Sequence, residues 1–438
     1  MRIEKLHIQN FRGFKDLTIE FPSDLAVLIG VNGSGKSSIL DCIAVFLSTL
    51  VTGIRSFHSL RGSELPSFTE TDITNGCEES HAQISIVFNS EPLDLSIVLT
   101  KESSRNDPDK VKLTIGEYVF PNKYDLRSNL KDAEKFHNLI YDRFRNDAYA
   151  SLPLLVYYPS QRTIYEIPLE SDEKHEFNQL SAYDRTITKK VDFTDFFIWY
   201  RNQEDLENET RLDSDPSYAD RNLKAIRVAL LALIPEFSYL RVRRSPLRMT
   251  VTKVVDREAQ ELIINQLSDG EKSLLAMVGD LARRLAIANP NLENPLDGSG
   301  IVLIDEIELH LHPQWQRRII PALTKIFPNL QFIITTHSPQ VLSNVQRENV
   351  FILEDFKLVE KTPYTYGRDS NSILFELMGV EERIPEIKQE LDACFDLIDR
   401  DEIEKAKEKL QELSNKLGQY DPEIVRANTL IDFFHRIE

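Results

Sequence analysis

Gly30-Val31-Asn32-Gly33-Ser34-Gly35-Lys36-Ser37 fits the pattern G-x-x-x-x-G-K-[ST] and joins two segments of opposite character. Ahead of it, Leu25 to Ile29 is an unbroken apolar run, as in a strand buried on both faces of a parallel sheet. Behind it, Ile39, Leu40, Ile43, Phe46 and Leu47 recur at helical spacing. A glycine-rich loop between such a strand and such a helix is built to hold phosphates. Gly30, Gly33 and Gly35 let main-chain N–H groups close around them at the helix N-terminus. Lys36 then reaches the β- and γ-phosphates, and the Ser37 hydroxyl is a ligand for Mg²⁺. Asn32, Ser34 and Ser38 complete the expected nucleotide lining, with ATP and Mg²⁺ as the cofactors.

Working outward, Ile3, Leu6 and Ile8, then Leu17, Ile19 and Phe21, alternate as two strands around a turn at Arg12-Gly13. Beyond the first helix, His81–Asn89, Leu93–Thr100 and Val111–Phe120 read as strands of a small antiparallel sheet. Leu152–Pro159 is another buried strand, and the region near 190–235 is mostly helical. Ile301–Ile304 and Gln331–Thr336 flank a helix starting near Pro313, which restores strand-helix-strand alternation. The predicted fold is α/β: a P-loop NTPase head with a mixed sheet flanked by helices, an inserted helical lobe and a C-terminal helical tail. The expected divisions are 1–165 for the N-terminal lobe of the head, 166–250 for the mainly helical insert, 251–365 for the C-terminal lobe and 366–438 for the tail. Gly418 and Pro422 break the tail into a hairpin or short bundle.

The 438 residues carry a formal net charge of -18, which excludes a broadly basic nucleic-acid coat. At 41% hydrophobic and 28% charged, the chain has the balance of a folded globular protein. No segment approaches the roughly 18 apolar residues of a membrane span, so a cytoplasmic location is expected. Cys42, Cys77 and Cys394 lie far apart without metal-ligand spacing and read as ordinary thiols.

Two carboxylates, Asp305 and Glu306, close the apolar run IVLI, where packing gives no reason for them. As a Walker B pair, Asp305 would hold Mg²⁺ and Glu306 would act as general base on the attacking water. His310 and His312 stand at i, i+2 beside Glu308; that spacing shares no helix face and no further ligand is evident, so no metal site is expected there. Leu267-Ser268-Asp269-Gly270-Glu271 precedes a helix with Leu274, Leu275, Val278, Leu281 and Leu285 on one face. On the residues alone, Ser268 or Asp269 is an N-cap with Glu271 in the first turn.

Taken in order, the phosphate loop, LSDGE, the strand ending in Asp-Glu and the lone His337 of TTHSP resemble the motif set of ABC-type ATPases, in which LSDGE stands for the LSGGQ signature. The opening IEKLHIQNFRGF is similar to that of the Rad50, SMC, RecF and OLD-type group, where an arginine such as Arg12 lies near the phosphates. The resemblance covers about residues 1–50, 150–165 and 265–345. It implies that Gln161 senses Mg²⁺ and the water, although a surface glutamine is the alternative, and that His337 contacts the γ-phosphate. It also implies that Ser268, Gly270 and Glu271 act in trans on ATP held by a second copy, so that a homodimer is an ATP-dependent switch.

Residues 38–266 lack a sustained heptad pattern, which disfavours SMC and Rad50, and no Toprim-like strand end follows His337, which disfavours an OLD nuclease. The segments ELHLHPQWQRR, ARRLAIANP and YGRDSNSIL with a short helical tail most resemble the stand-alone ATPase subunit of Septu-type anti-phage systems, including those of retrons. That likeness implies a separate HNH nuclease as partner and, in a retron, a reverse transcriptase with its multicopy single-stranded DNA. A RecF-like DNA-binding ATPase in repair is the rival. Arg241, Arg243, Arg244 and Arg248 would serve it, or are simply a solvated strand face. In the tail, Leu391, Phe395 and Ile398, with Ile431, Phe433 and Phe434, either dock a partner or pack together.

Overall fold

The computed structural model describes residues 1–55, 66–101, 114–115, 118–119, 128–162, 178–188, 193–255 and 257–434. Most of the expected strand over Val111–Phe120, and residues 166–177 and 189–192 of the expected insert, lie outside the described residues. Two compact units emerge, Met1–Asp369 and Ser370–Glu438.

In the first unit, β1 (Arg2–Phe11) and β2 (Phe14–Glu20) form the opening hairpin. β3 (Leu25–Ile29) runs into the phosphate loop and α1 (Lys36–Arg55). β4 (Glu79–Phe88) and β5 (Glu91–Thr100) extend the hairpin into an antiparallel sheet of order β2-β1-β4-β5. The short pair β6 (Thr114–Ile115) and β7 (Tyr118–Val119) is followed by α2 (Lys131–Asn146), which buries Ala133, Phe136 and Ile140. After β8 (Leu154–Tyr158) come α3 (Thr194–Asp213) and α4 (Arg221–Leu233). A three-stranded antiparallel sheet then forms from β9 (Phe237–Arg244), β10 (Leu247–Val255) and β11 (Glu258–Ile263). α5 (Asp269–Ala288), β12 (Gly300–Ile304), α6 (Pro313–Ile326), β13 (Leu330–Thr335), the short α7 (Pro339–Leu342), β14 (Val350–Glu354) and β15 (Lys357–Leu358) complete the unit.

The central sheet has the order β15-β14-β3-β13-β12-β8, parallel throughout except for β15. Every residue of β3, β8, β12 and β13 is buried, the two-faced burial their apolar runs predict. Each large side chain so buried contributes about 1.5–3 kcal/mol. Because β3, β13, β12 and β8 are parallel neighbours, the phosphate loop, the Asp305-Glu306 pair, His337 and Gln161 all follow carboxyl ends of strands on one edge of the sheet, the edge where α/β folds bind ligands.

One buried polar residue joins the two large sheets. Gln331 on β13 accepts from Ile3 N at 2.7 Å and donates to Ile3 O at 2.8 Å and Pro22 O at 2.7 Å. An amide in a buried strand is tolerable only when so satisfied.

Two expected boundaries move. The division at residue 250 falls inside β10, which pairs with β9 on one side and β11 on the other, so the sheet cannot be cut there. The tail begins at Ser370 rather than 366. It comprises α8 (Ser370–Met378), α9 (Pro385–Asp399), α10 (Ile403–Leu417) and α11 (Pro422–Phe434), with Gly418 at φ 90° ending α10. Leu391, Ile398 and Ile431 belong to the tail's own core, while Phe433 is exposed and the Phe434 side chain lies outside the described residues. Among the described residues no helix is long and apolar enough to cross a membrane.

Candidate active site

The geometry starts from the loop after β3. Gly30 sits at φ 147°, and a Cβ there would stand 2.2 Å from Leu353 O on β14, so only glycine lets the loop leave the sheet at this point. Lys36, the first residue of α1, is buried, and its Nζ donates to Gly30 O at 2.9 Å and Val31 O at 3.0 Å. Burial holds its pKa below the usual lysine range, against the pull of Asp305, Glu306 and Glu308. Val31, Asn32 and Gly33 are exposed at the mouth, and the buried Ser34 hydroxyl has no hydrogen-bond partner. An ammonium folded onto loop carbonyls and an orphaned hydroxyl suit a phosphate.

Ser37 Oγ donates to Asp305 Oδ1 at 3.1 Å, and Thr335 Oγ1 donates to the same oxygen at 2.5 Å. Thr335 Oγ1 in turn accepts from Glu306 N at 2.7 Å. The hydroxyl and carboxylate of Ser37 and Asp305 are hard oxygen donors, a set that fits Mg²⁺. Glu306 holds φ 49°, a left-handed conformation that costs a glutamate about 1 kcal/mol or more. Its carbonyl, like that of Asp305, accepts from the Arg162 guanidinium. Gln161 itself is exposed, and it is Arg162 that turns inward.

His337 is placed by its main chain. Its N–H donates to Glu308 Oε1 at 2.6 Å, and Thr336 Oγ1 donates to Glu308 Oε2 at 2.7 Å. Burial, then the charge of Lys36, keep the His337 imidazole below its usual pKa, which favours its neutral form. Arg12, at φ 50°, donates to Asp72 Oδ1 at 2.8 Å, Asp41 Oδ2 at 2.8 Å and Ser38 Oγ at 3.1 Å, which ties the hairpin turn to the start of α1. Tyr157 OH donates to Asp41 Oδ1 at 3.1 Å from the far side.

The LSDGE segment opens α5. Ser268 is the N-cap: its Oγ accepts from Glu271 N at 3.3 Å, while Ser268 N donates to Glu271 Oε2 at 2.9 Å, a reciprocal capping box. Lys253 Nζ donates to Glu271 Oε1 at 2.5 Å. Ser268 and Asp269 are exposed, whereas Gly270 and Glu271 are buried.

A family model described as "AAA domain, putative AbiEii toxin, Type IV TA system" matches residues 25–343. The chain belongs to this AAA-domain ATPase family. "Retron Ec83 probable ATPase" of Escherichia coli is 29% identical over 449 residues, covering 89% of this chain and 78% of that protein. "Retron Vc95 probable ATPase" of Vibrio cholerae serotype O1 biovar El Tor is 30% identical over 425 residues, 85% of this chain and 78% of that protein. Septu protein PtuA of Bacillus mycoides (strain KBAB4) is 23% identical over 435 residues, which are 96% of this chain but 51% of PtuA, so the chain spans about half of that protein's length.

Elsewhere in this AAA-domain protein a buried carboxylate ties α5 to the end of β8. Asp280 of α5 accepts from Arg283 Nη2 at 2.8 Å, Arg284 Nε at 2.7 Å and Tyr158 OH at 3.0 Å, all buried. Burial would raise the Asp280 pKa, but Arg284 and Arg283 outweigh it and hold the carboxyl below its usual range. The basic cluster is largely neutralised. Arg241 and Arg243 pair with Glu261 at 3.3 and 2.6 Å, and Arg244 pairs with Asp205 and Glu204. His312 caps α6, its Nδ1 accepting from Gln314 N at 3.3 Å, and His310 O lies against Gly270, so both histidine positions have structural work there.

Sequence reasoning passed over Thr335, Arg162, Asp41 and Asp72, and weighed Glu308 only as a neighbour of His310 and His312. Only Arg162 had a signal, a cation beside Gln161 directly after a buried strand. Thr335 and Glu308 look ordinary until the sheet order brings them to Asp305 and His337.

Proposed function

We propose that this chain is the ATP-binding and hydrolysing switch subunit of an anti-phage defence system of Septu or retron type, controlling a separate HNH nuclease through ATP-dependent pairing of its heads. The observation that carries the reading is the bonded series Ser37–Asp305–Thr335–Glu306 beside the Lys36 loop. The defence setting is supported by the retron and Septu relatives, and the match to one of them over 96% of this chain supports a shared design.

The loop N–H groups, Lys36 and Arg12 bind and orient the triphosphate, Lys36 exchanging its carbonyl partners for phosphate oxygens. Ser37 and Asp305 would hold Mg²⁺, which supplies neutralisation of phosphate charge when bound. Glu306 takes the proton of the attacking water, and the neutral His337 donates a hydrogen bond toward the γ-phosphate. Ser268 and Gly270, at the exposed start of α5, close the site on a second copy, so that each head alone is incomplete. Hydrolysis resets the pair, and the nuclease reads the nucleotide state. In a retron setting a reverse transcriptase and its multicopy single-stranded DNA join the assembly, and the chain carries no nuclease activity of its own.

The test reconstitutes the chain with the HNH nuclease encoded beside it and follows DNA cleavage with ATP, with ADP and with no nucleotide. Cleavage should depend on nucleotide state and freeze in the ATP condition with Glu306→Gln, which keeps ATP but cannot turn it over. A nuclease indifferent to the chain and its nucleotide rejects the proposal. The RecF-like rival loses weight because three of its four candidate arginines are paired with carboxylates.

A further inference from the structure

Arg162 is 2% exposed, and its hydrogen bonds among the described residues all end on main-chain carbonyls. Nη1 donates to Pro159 O at 3.1 Å and Asp305 O at 2.5 Å, and Nη2 donates to Glu306 O at 2.5 Å. A buried cation is costly and ordinarily sits on a carboxylate. Here one fork instead spans two consecutive carbonyls of the turn that bears Asp305 and Glu306.

That turn needs holding. Glu306 stands at φ 49°, a conformation that persists only when its surroundings over-determine it. On the N–H side the anchors come from β13, with Glu306 N on Thr335 Oγ1 at 2.7 Å and Ile307 N on Thr335 O at 3.1 Å. On the carbonyl side Arg162 reaches both Asp305 O and Glu306 O, the latter shared with Leu309 N at 2.9 Å. It reaches there because β8 and β12 are parallel neighbours with Tyr158 opposite Ile304, so the residues that follow each strand emerge side by side.

We propose that Arg162 is a positioning residue for hydrolysis: its guanidinium fixes the Asp305–Glu306 turn from the carbonyl side and so aims the Glu306 carboxylate. The inference rests on the reading of Glu306 as the general base. The guanidinium reaches the two carbonyls from separate nitrogens, Nη1 and Nη2, in a rigid planar fork, a geometry that a single ammonium nitrogen on a flexible stem does not reproduce.

The experiment compares Arg162→Met, Arg162→Lys and Glu306→Gln in the full chain. It records steady-state ATP hydrolysis, affinity for a fluorescent ATP analogue, and amide hydrogen exchange of residues 305–309 without nucleotide. Arg162→Met should lower kcat by about 10- to 100-fold, the cost of misplacing a reacting group by about 1 Å. Its nucleotide affinity should stay within about threefold, the mark of an interaction realised only in the transition state. Its 305–309 amides should exchange faster, and Arg162→Lys should recover only part of kcat. Unchanged kcat in Arg162→Met, or an equal loss of kcat and affinity, overturns the inference. If Arg162→Met does not fold, Arg162→Lys decides: reduced kcat at intact affinity supports positioning, and wild-type kcat refutes it. Glu306→Gln separates the two levels. If it is inactive while Arg162→Met turns over normally, only the positioning role fails; if it hydrolyses ATP normally, the base assignment fails and the inference with it.

Discussion

Gly270→Ala tests the packing at the start of α5. A Cβ at Gly270 would stand 2.2 Å from His310 O and 3.2 Å from His310 C, where real Cβ contacts stop at about 3.0 Å. The obstacle is backbone, so α5 or the His310 segment must give way by the missing 0.8 Å, the difference between 3.0 and 2.2 Å. His310 itself is held at φ 64°, and the turn before it is closed by Leu309 N on Glu306 O at 2.9 Å and Leu311 N on Glu308 O at 2.8 Å. A shift at His310 is therefore passed to Glu308, whose carboxylate holds the His337 main chain. Overpacking of this kind costs about 1–3 kcal/mol. Thermal unfolding should show a fall of a few degrees, and steady-state kinetics a fall in kcat with ATP affinity at the Lys36 loop preserved. An alanine variant with wild-type Tm and wild-type kcat would refute the steric argument and the path from Gly270 to His337 together.

Asp280→Ala leaves Arg283 and Arg284 buried without their shared carboxylate, which should cost about 3–5 kcal/mol in urea unfolding; a change too small to measure would contradict the tie. Asp280 and Glu271 both have folded pKa values below the usual carboxylate range. Each therefore adds stability above its unfolded pKa and loses it as the pH falls through the depressed folded value, so unfolding should become easier below about pH 4, and Glu271→Gln should make that acid loss shallower. Replacing Arg241 and Arg243 with Glu should leave any salt-dependent DNA binding unchanged by fluorescence anisotropy; its disappearance would revive the RecF-like reading.

Much of the α/β head was legible because its signals are local. The run Leu25–Ile29, the glycines after it and the periodic helix lie within one short window, and the same holds for IVLIDE and the tail helices. What could not be read depends on sheet order. Ser37 meets Asp305 across 268 residues, and Gln331 meets Ile3 across 328. No spacing rule links such pairs. The basic cluster was misleading in the same way: composition counts the arginines along β9, but Glu204, Asp205 and Glu261, which neutralise them, arrive from α3 and β11. The LSDGE segment allowed both a cap and a signature, and the capping box at Ser268 establishes the first without removing the second.

A mixing experiment tests the trans-completed site most directly. Lys36→Met disables the phosphate loop of one copy and Ser268→Arg blocks the signature of the other. Each variant alone should hydrolyse no ATP. Mixed in equal amounts, half of the dimers pair one of each and carry a single intact site, so activity should return to about a quarter of wild type per head. A mixture as inactive as its parts, or a Ser268→Arg chain that hydrolyses ATP normally alone, would contradict a site completed by a second copy.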